Sequence, residues 1–428
     1  MKNKPRFSKV ENWLTWLENL HPTKIDLTLD RAKKVISKLN LDKKKFPSIV
    51  VAGTNGKGSS VAFLESIYYE SGYKVGSFTS PHLISFNERI KFNQEQITDI
   101  DLVNIFQLID RRRDGISLSY FEYSFIAALC YFYIKNIDIG LFEVGLGGRL
   151  DVVNSIDHDV SLITSISLDH QSWLGDNRDS IGLEKAGVMR KGQPSVISDR
   201  DPPKSILEFS HNIGSRIYKI GSNFDFRIKD NEWDYLSPIC DIYSLNFPSF
   251  GGNIQLNNAS GAIKSTQILR RSLPVSSINI KKGISKTQIK GRIDRHNIGG
   301  IEWLFDVAHN PGSTRVLAEE LESIIKKGKI VAIFSMMKDK DIEQSIAHLA
   351  PFIDEWHITP LDGDRGASSQ DIVKKVSKKG VFLDTLFFCH DTIDLAYSSV
   401  RTSARKGDLV VVFGSFRIVS PVMHLLGL

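Results

Sequence analysis

The feature that most constrains this chain is an alternation, sustained over most of its length, between short apolar runs rich in Val, Ile and Phe and segments of helical period. Parallel strands covered on both faces read as short continuous apolar runs, and each needs a crossover, usually a helix, to reach its neighbour. The pattern predicts an α/β fold. In the first half, strands are expected at Ser48–Ala52, Lys74–Thr79, Ile139–Val144, Ser161–Ser165 and Ser195–Ser198. Val61, Leu64, Tyr68 and Ser71 recur at helical spacing, so Gly58–Ser71 reads as the first crossover helix. The stretch Phe224–Phe250 breaks the alternation: its Pro, Asp, Asn and aromatic residues predict irregular or antiparallel structure. Helix returns over Ala259–Arg271, and the polar, basic, glycine-containing Ile280–Lys290 is where a domain boundary is expected. Beyond it strands are predicted at Trp303–Val307, Ile330–Phe334, Glu355–Ile358, Leu386–Cys389 and Leu409–Phe413, with helices starting near Gly312, Asp341, Ser369 and Asp391. This describes a second, smaller doubly wound domain. The expected domains are residues 1–285 and 286–428.

At 428 residues the chain is longer than one hydrophobic core usually organises, and a single small binding module is excluded. Its 41% hydrophobic and 24% charged residues suit a soluble globular protein. The net charge of +6 is spread thinly, with only short runs such as Arg111–Arg113 and Lys43–Lys45. Such an excess suits an anionic substrate, and no basic stretch interleaved with aromatics argues for nucleic acid. The three cysteines, Cys130, Cys240 and Cys389, are far apart and lack metal-ligand spacing, so neither a disulfide framework nor a zinc site is expected. The most apolar stretch, Phe125–Ile134, is shorter than the roughly 20 residues of a membrane span. The polar start MKNKPRFSKVENW lacks the core of a signal peptide. A cytoplasmic monomer with no membrane partner is expected.

The strand Ser48–Ala52 runs into Gly53-Thr54-Asn55-Gly56-Lys57-Gly58-Ser59-Ser60 and then into a helix. Glycines let backbone N–H groups turn inward around phosphate oxygens, the helix N-terminus adds partial positive charge, and Lys57 can reach β- and γ-phosphates. The loop is a variant. The usual spacing would put Gly at Val51, and Gly58 follows the lysine, with the hydroxyl on Ser59. The plain alternative is a glycine-rich turn with a surface lysine.

Glu143 ends an apolar strand, placing an acid at the carboxyl edge of a parallel sheet, where phosphoryl transfer needs a Mg²⁺ ligand. Its alternative is an edge carboxylate paired with Arg149. His170 follows another apolar strand, in Leu168-Asp169-His170, although a lone histidine is more often structural. Lys185, in Glu184-Lys185-Ala186-Gly187, reads in isolation as a solvated partner of Glu184 or Asp179.

Taken together, GTNGKGS, TSPHLISFNERI, YFEY, FEVGLGGRLD, SLDHQSWLGDN, EKAGV, DVAHNP and GSF resemble, in this order, the folylpolyglutamate synthase and dihydrofolate synthase family of the Mur ligase superfamily. The resemblance covers about Trp13 to Val419. It implies a P-loop-type Mur ligase central domain that binds ATP and pterin, followed by a Rossmann-like domain that holds glutamate. The implied activity is ATP-dependent joining of L-glutamate to dihydropteroate, to the glutamyl tail of reduced folates, or to both. By motif, Gly56, Lys57, Gly58 and Ser59 would hold ATP phosphates, and Asn258, Arg292 and Asp306 would contact ATP. Ser80, Glu143 and His170 would hold magnesium, joined by Lys185 as a carbamate. CO₂ addition there turns a repelled ammonium into the oxygen ligand that Mg²⁺ prefers. Ser119, Tyr120, Phe121 and Glu122, with Leu150, Asp151 and Val152, match the pterin-binding part. Val152-Val153 and Gln171 depart from the family pattern of Ala-Thr and Thr, which bears on pterin contacts rather than on the reaction.

The implied chemistry converts a carboxylate to an acyl phosphate that the α-amine of glutamate attacks, so positioning and charge neutralisation carry most of the catalysis. His309, in DVAHNP, could join the site if the two domains face each other; alternatively it is satisfied by Asp306. Two other function classes share parts of this reading. A peptidoglycan-type Mur ligase would use a nucleotide-sugar substrate, against which SPHLISFNERI and YFEY argue. A non-enzymatic ATP-binding switch would lack a second substrate.

Overall fold

The structure is a computed structural model that describes residues 6–23, 26–325, 327–361, 363, 366–377 and 386–428. The first five residues of the polar start lie outside it. The chain forms two compact units. One holds the residues up to Ile166, Asn177–Phe247 and Leu256–Thr287; the other holds Ser167–Asp176, Pro248–Gln255 and Gln288–Leu428.

The first unit is built on eight strands: β1 (Ser48–Ala52), β2 (Val75–Phe78), β3 (Ile90–Phe92), β4 (Glu95–Gln96), β5 (Ile139–Glu143), β6 (Val160–Ile163), β7 (Pro194–Ile197) and β8 (Arg216–Lys219). Their order is β4-β3-β2-β5-β1-β6-β7-β8. The pairs from β2 to β8 are all parallel, and β3 and β4 add an antiparallel edge. Every residue of β1, β2, β5, β6 and β7 is buried, which is why these strands read as unbroken apolar runs. The expected crossover helix is Lys57–Glu70.

The stretch left between irregular and antiparallel structure is a small antiparallel sheet of β9 (Asp225–Ile228), β10 (Trp233–Leu236) and β11 (Ile242–Leu245). Its apolar periodicity is blurred because Asp234, in the middle strand, is buried between Arg227 at 2.8 Å and Lys229 at 3.1 Å. The polar Ile280–Lys290 stretch contains the end of a helix, Ser277–Lys286. That helix belongs to the first unit, where Gly283 lies against the backbone of Ile67 in the crossover helix.

In the second unit β12 (Asp294–Ile298), β13 (Ile301–Asp306), β14 (Ile330–Phe334), β15 (Glu355–Ile358), β16 (Leu386–Cys389) and β17 (Leu409–Phe413) form a six-stranded sheet. The order is β12-β13-β17-β14-β15-β16, parallel apart from the β12–β13 hairpin. The expected helices are Pro311–Glu322, Ile342–Ala347, Ser369–Ser377 and Ile393–Ser403. Among the described residues no helix is long and apolar enough to cross a membrane.

A Cβ added at Gly283 would sit 2.6 Å from the Ile67 Cα, which a helix–helix contact cannot absorb without shifting backbone. Gly283→Ala should therefore destabilise the protein by about 1–3 kcal/mol. A denaturant midpoint equal to that of the unsubstituted protein would contradict this packing.

Candidate active site

The loop after β1 lies at the carboxyl edge of the first unit's sheet. Thr164, just past β6, donates its N–H to the Ala52 carbonyl at 2.8 Å, and the N–H of Thr54 reaches the Ser165 carbonyl at 2.8 Å. The chain turns so closely there that a Cβ on Gly53 would lie 1.8 Å from the Thr164 hydroxyl oxygen. Gly56 takes φ +87, a left-handed conformation that costs a residue with a Cβ about 1–2 kcal/mol, and begins the crossover helix as its N-cap. A Cβ at Gly56 would also lie 2.4 Å from the Asn258 side-chain oxygen. The structure thus brings together Gly56, Lys57, Gly58, Ser59 and Asn258.

Lys57 is no loose surface lysine. Its Nζ donates to the Gly53 carbonyl at 3.1 Å and to the Thr54 carbonyl at 3.0 Å. Lys185, which is buried, donates to the same Gly53 carbonyl at 2.8 Å. Two ammonium groups converging on one oxygen, one half-buried and the other buried, repel each other, and an added anion relieves that repulsion. Glu184 instead pairs with Arg149 at 3.1 Å, so neither the solvated-pair reading of Lys185 nor the Arg149 pairing of Glu143 describes the structure.

Glu143, at the end of β5, stands opposite Val51 of β1 and is buried. Its Oε2 accepts the Ser80 N–H at 3.0 Å, and a Cβ on Gly58 would fall 3.6 Å from the same oxygen. Among the described residues no group of three or more His, Cys, Asp or Glu could hold a metal ion. Mg²⁺ keeps waters and phosphate oxygens and takes only one or two protein carboxylates. The Glu143 carboxylate is a hard oxygen donor beside the glycine loop, and Ser80, whose N–H it accepts, carries another in its hydroxyl, so the residue types present fit such an ion.

In the segments matched to pterin binding, Ser119 caps the helix Tyr120–Lys135, and Glu122 closes a capping box, accepting the Ser119 N–H at 2.7 Å. Glu122 also pairs with Arg31 at 3.1 Å, a residue no local motif singles out. Ser119 and Glu122 therefore use their side chains to hold the start of this helix. Tyr120 and Phe121 are partly buried, Leu150 is exposed and Val152 is buried. The guanidinium of Arg89, also unforeseen, lies 5.5 Å from the Tyr120 ring centre. Asp151 is buried and accepts the N–H groups of Gly145, Leu146 and Val153 at 2.8–3.0 Å. Burial pushes its carboxyl up to about 6, against the pull of those three bonds and of the Lys57 charge.

The remaining site residues belong to the second unit. Asp306, at the end of β13, accepts the N–H groups of Ile293 at 2.9 Å and Ala308 at 2.7 Å; burial raises its pKa, opposed by the charge of Arg292. The Arg292 guanidinium lies 5.8 Å from the Phe416 ring centre. His309 is not satisfied by Asp306 as its alternative reading had it. Its Nδ1 donates to the Val307 carbonyl at 2.8 Å, and its Nε2 faces Asp169 at 3.4 Å. Asp169 is the residue that sequence reasoning passed over in favour of its neighbour His170. Its carboxylate also receives the Asn310 side-chain amide at 3.1 Å and the Lys340 ammonium. Burial would raise the Asp169 pKa, but the His309 contact and the charges of His309, His170 and Lys340 hold it well below the usual carboxylate range.

Comparison with known proteins identifies the family. Residues 291–416 match the family described as the Mur ligase glutamate ligase domain. The chain is 35% identical to the dihydrofolate synthase/folylpolyglutamate synthase of Escherichia coli K12, across 98% of this chain and 96% of that one. The solved structure of E. coli FolC in complex with DHPP and ADP superposes with a TM-score of 0.91 at 34% identity, covering 99% of both chains. The Yersinia pestis bifunctional enzyme complexed with AMPPNP and Mn ion gives 0.90 at 36% identity over 100% of both. With relatives of this similarity matched along nearly their whole length, the chain belongs to the dihydrofolate synthase/folylpolyglutamate synthase family.

Proposed function

We propose that this protein is an ATP-dependent ligase that joins L-glutamate to dihydropteroate and extends the glutamyl tail of reduced folates, acting in the cytoplasm as a monomer. Residues 1–285 carry the ATP and pterin sites and residues 286–428 the glutamate ligase part. The observation that carries the reading is the convergence of Lys57 and Lys185 on the Gly53 carbonyl, beside the buried Glu143 and at the N-terminus of the crossover helix. A switch protein has no need of a second lysine, Lys185, buried there. The bifunctional naming of the relatives supports both activities for one chain, and favours a folate over a nucleotide-sugar acceptor.

In this reading the N–H groups of Gly56, Lys57, Gly58 and Ser59 bind the phosphates of ATP, and Asn258, Arg292 and Asp306 contact the nucleotide. Lys57 swings from the carbonyls it now serves to the γ-phosphoryl oxygens and neutralises charge as the phosphoryl group moves to the acceptor carboxylate. ADP leaves, and an acyl phosphate results. The α-amine of glutamate attacks the acyl carbon, the amide C–N bond forms, and inorganic phosphate departs. His309 helps hold the reacting groups, and excluding water protects the acyl phosphate from hydrolysis. Ser80, Glu143, His170 and a carbamylated Lys185 supply the ligands of Mg²⁺, which when bound neutralises phosphate charge. Tyr120 and Phe121, with Ser119, Glu122, Leu150, Asp151 and Val152, form the pterin side.

Purified protein should release phosphate from ATP only when both glutamate and a folate acceptor are supplied, and dihydropteroate and tetrahydrofolate assayed side by side should each be glutamylated. Phosphate release independent of glutamate would leave the switch standing. Lys57→Ala and Glu143→Ala should each abolish ligation while circular dichroism stays unchanged, and full activity in either would refute that residue's role. Lys185→Ala should be largely inactive and regain part of its rate with a short-chain carboxylate; indifference to the added acid would count against carbamylation.

A further inference from the structure

His170 has φ +51, a left-handed conformation that disfavours any residue with a Cβ and that persists only where the surroundings enforce it. Its own N–H donates to Asp169 Oδ1 at 2.8 Å, so the aspartate side chain folds forward and closes the turn that sets the histidine's direction. The aspartate is held in turn. Lys340 bonds the same Oδ1, and the two side chains are 7% and 6% exposed, so this is a buried ion pair. The other oxygen, Oδ2, accepts the Asn310 amide at 3.1 Å and faces His309 Nε2 at 3.4 Å. Asn310 is itself fixed as N-cap of the helix Pro311–Glu322, where its side-chain oxygen accepts the Ser313 N–H at 3.0 Å. One amide therefore caps a helix with its oxygen and clamps Asp169 with its nitrogen.

All of these residues lie in the second unit, and the segment carrying His170, Ser167–Asp176, is assigned there although its chain neighbours on both sides belong to the first. We propose that Lys340 and Asn310 are positioning residues: by clamping Asp169 they hold His170 in its left-handed turn and so set its imidazole for metal binding. The inference rests on the proposed role of His170 as a metal ligand. Outer partners of a ligand typically change metal affinity by about 10–100-fold when removed.

The test is Mn²⁺ binding to the protein–ADP complex, followed by electron paramagnetic resonance, which reads the ion and not turnover. Lys340→Met and Asp169→Asn should each weaken Mn²⁺ binding about 10–100-fold, with ADP affinity in the absence of metal unchanged. The double variant should be no weaker than the weaker single one, because both break one clamp. Thermal melts establish that each variant is folded, and either single variant suffices to decide the matter. Losses that multiply in the double variant, or unchanged Mn²⁺ affinity in a folded single variant while His170→Ala loses it, would overturn the clamp alone. Unchanged affinity in His170→Ala would overturn the ligand role and the clamp with it.

Discussion

The insertion of β1 between β5 and β6 in parallel register is the constraint on which the nucleotide end of this protein depends. With Val51 opposite Glu143 and Ala52 opposite Ile163, three strands end at one level. The chain leaving β1 must then turn under the Thr164 side chain, and only a residue without a Cβ fits at Gly53. The turn delivers the first N–H groups of the crossover helix, which have no partners within the helix, to the same edge as the Glu143 carboxylate. Strand register thus fixes the glycine loop with Lys57 and the Glu143 carboxylate at one edge.

Lys185 reaches that edge by a different route. Its helix, Arg178–Ala186, is tied to the segment after β5 by the Arg149 N–H on the Glu184 carbonyl at 2.9 Å. A Cβ at Gly148 would fall 2.8 Å from that same carbonyl oxygen, so GLGGRLD and EKAGV are two halves of one backbone-to-backbone contact. Burying an ammonium this way is costly unless it is bonded, and the Gly53 carbonyl accepts the Lys185 ammonium at 2.8 Å.

Most of the α/β framework was legible because its central strands are buried on both faces. The expected spans of Ser48–Ala52, Ile330–Phe334, Glu355–Ile358 and Leu409–Phe413 coincide with β1, β14, β15 and β17, and Leu386–Cys389 coincides with β16, an exposed edge strand whose run LFFC is nevertheless unbroken. Where a strand buries a charge, as around Asp234, the apolar run breaks and the antiparallel sheet was not resolved from irregular chain. The phosphate loop and Glu143 were legible as a strand end followed by glycines. His170 was visible for the same reason, but Asp169 was not singled out: its partners Asn310 and Lys340 lie 141 and 171 residues away, and no local spacing encodes them. A linear boundary likewise cannot express that Ser167–Asp176 and Pro248–Gln255 join the second unit.

A crystal soaked with ADP should show the diphosphate on the backbone N–H groups of Gly56 to Ser59, with Lys57 turned from the Gly53 carbonyl toward the phosphate oxygens. Nucleotide density anywhere else, with Lys57 and Lys185 still sharing that carbonyl, would contradict that placement.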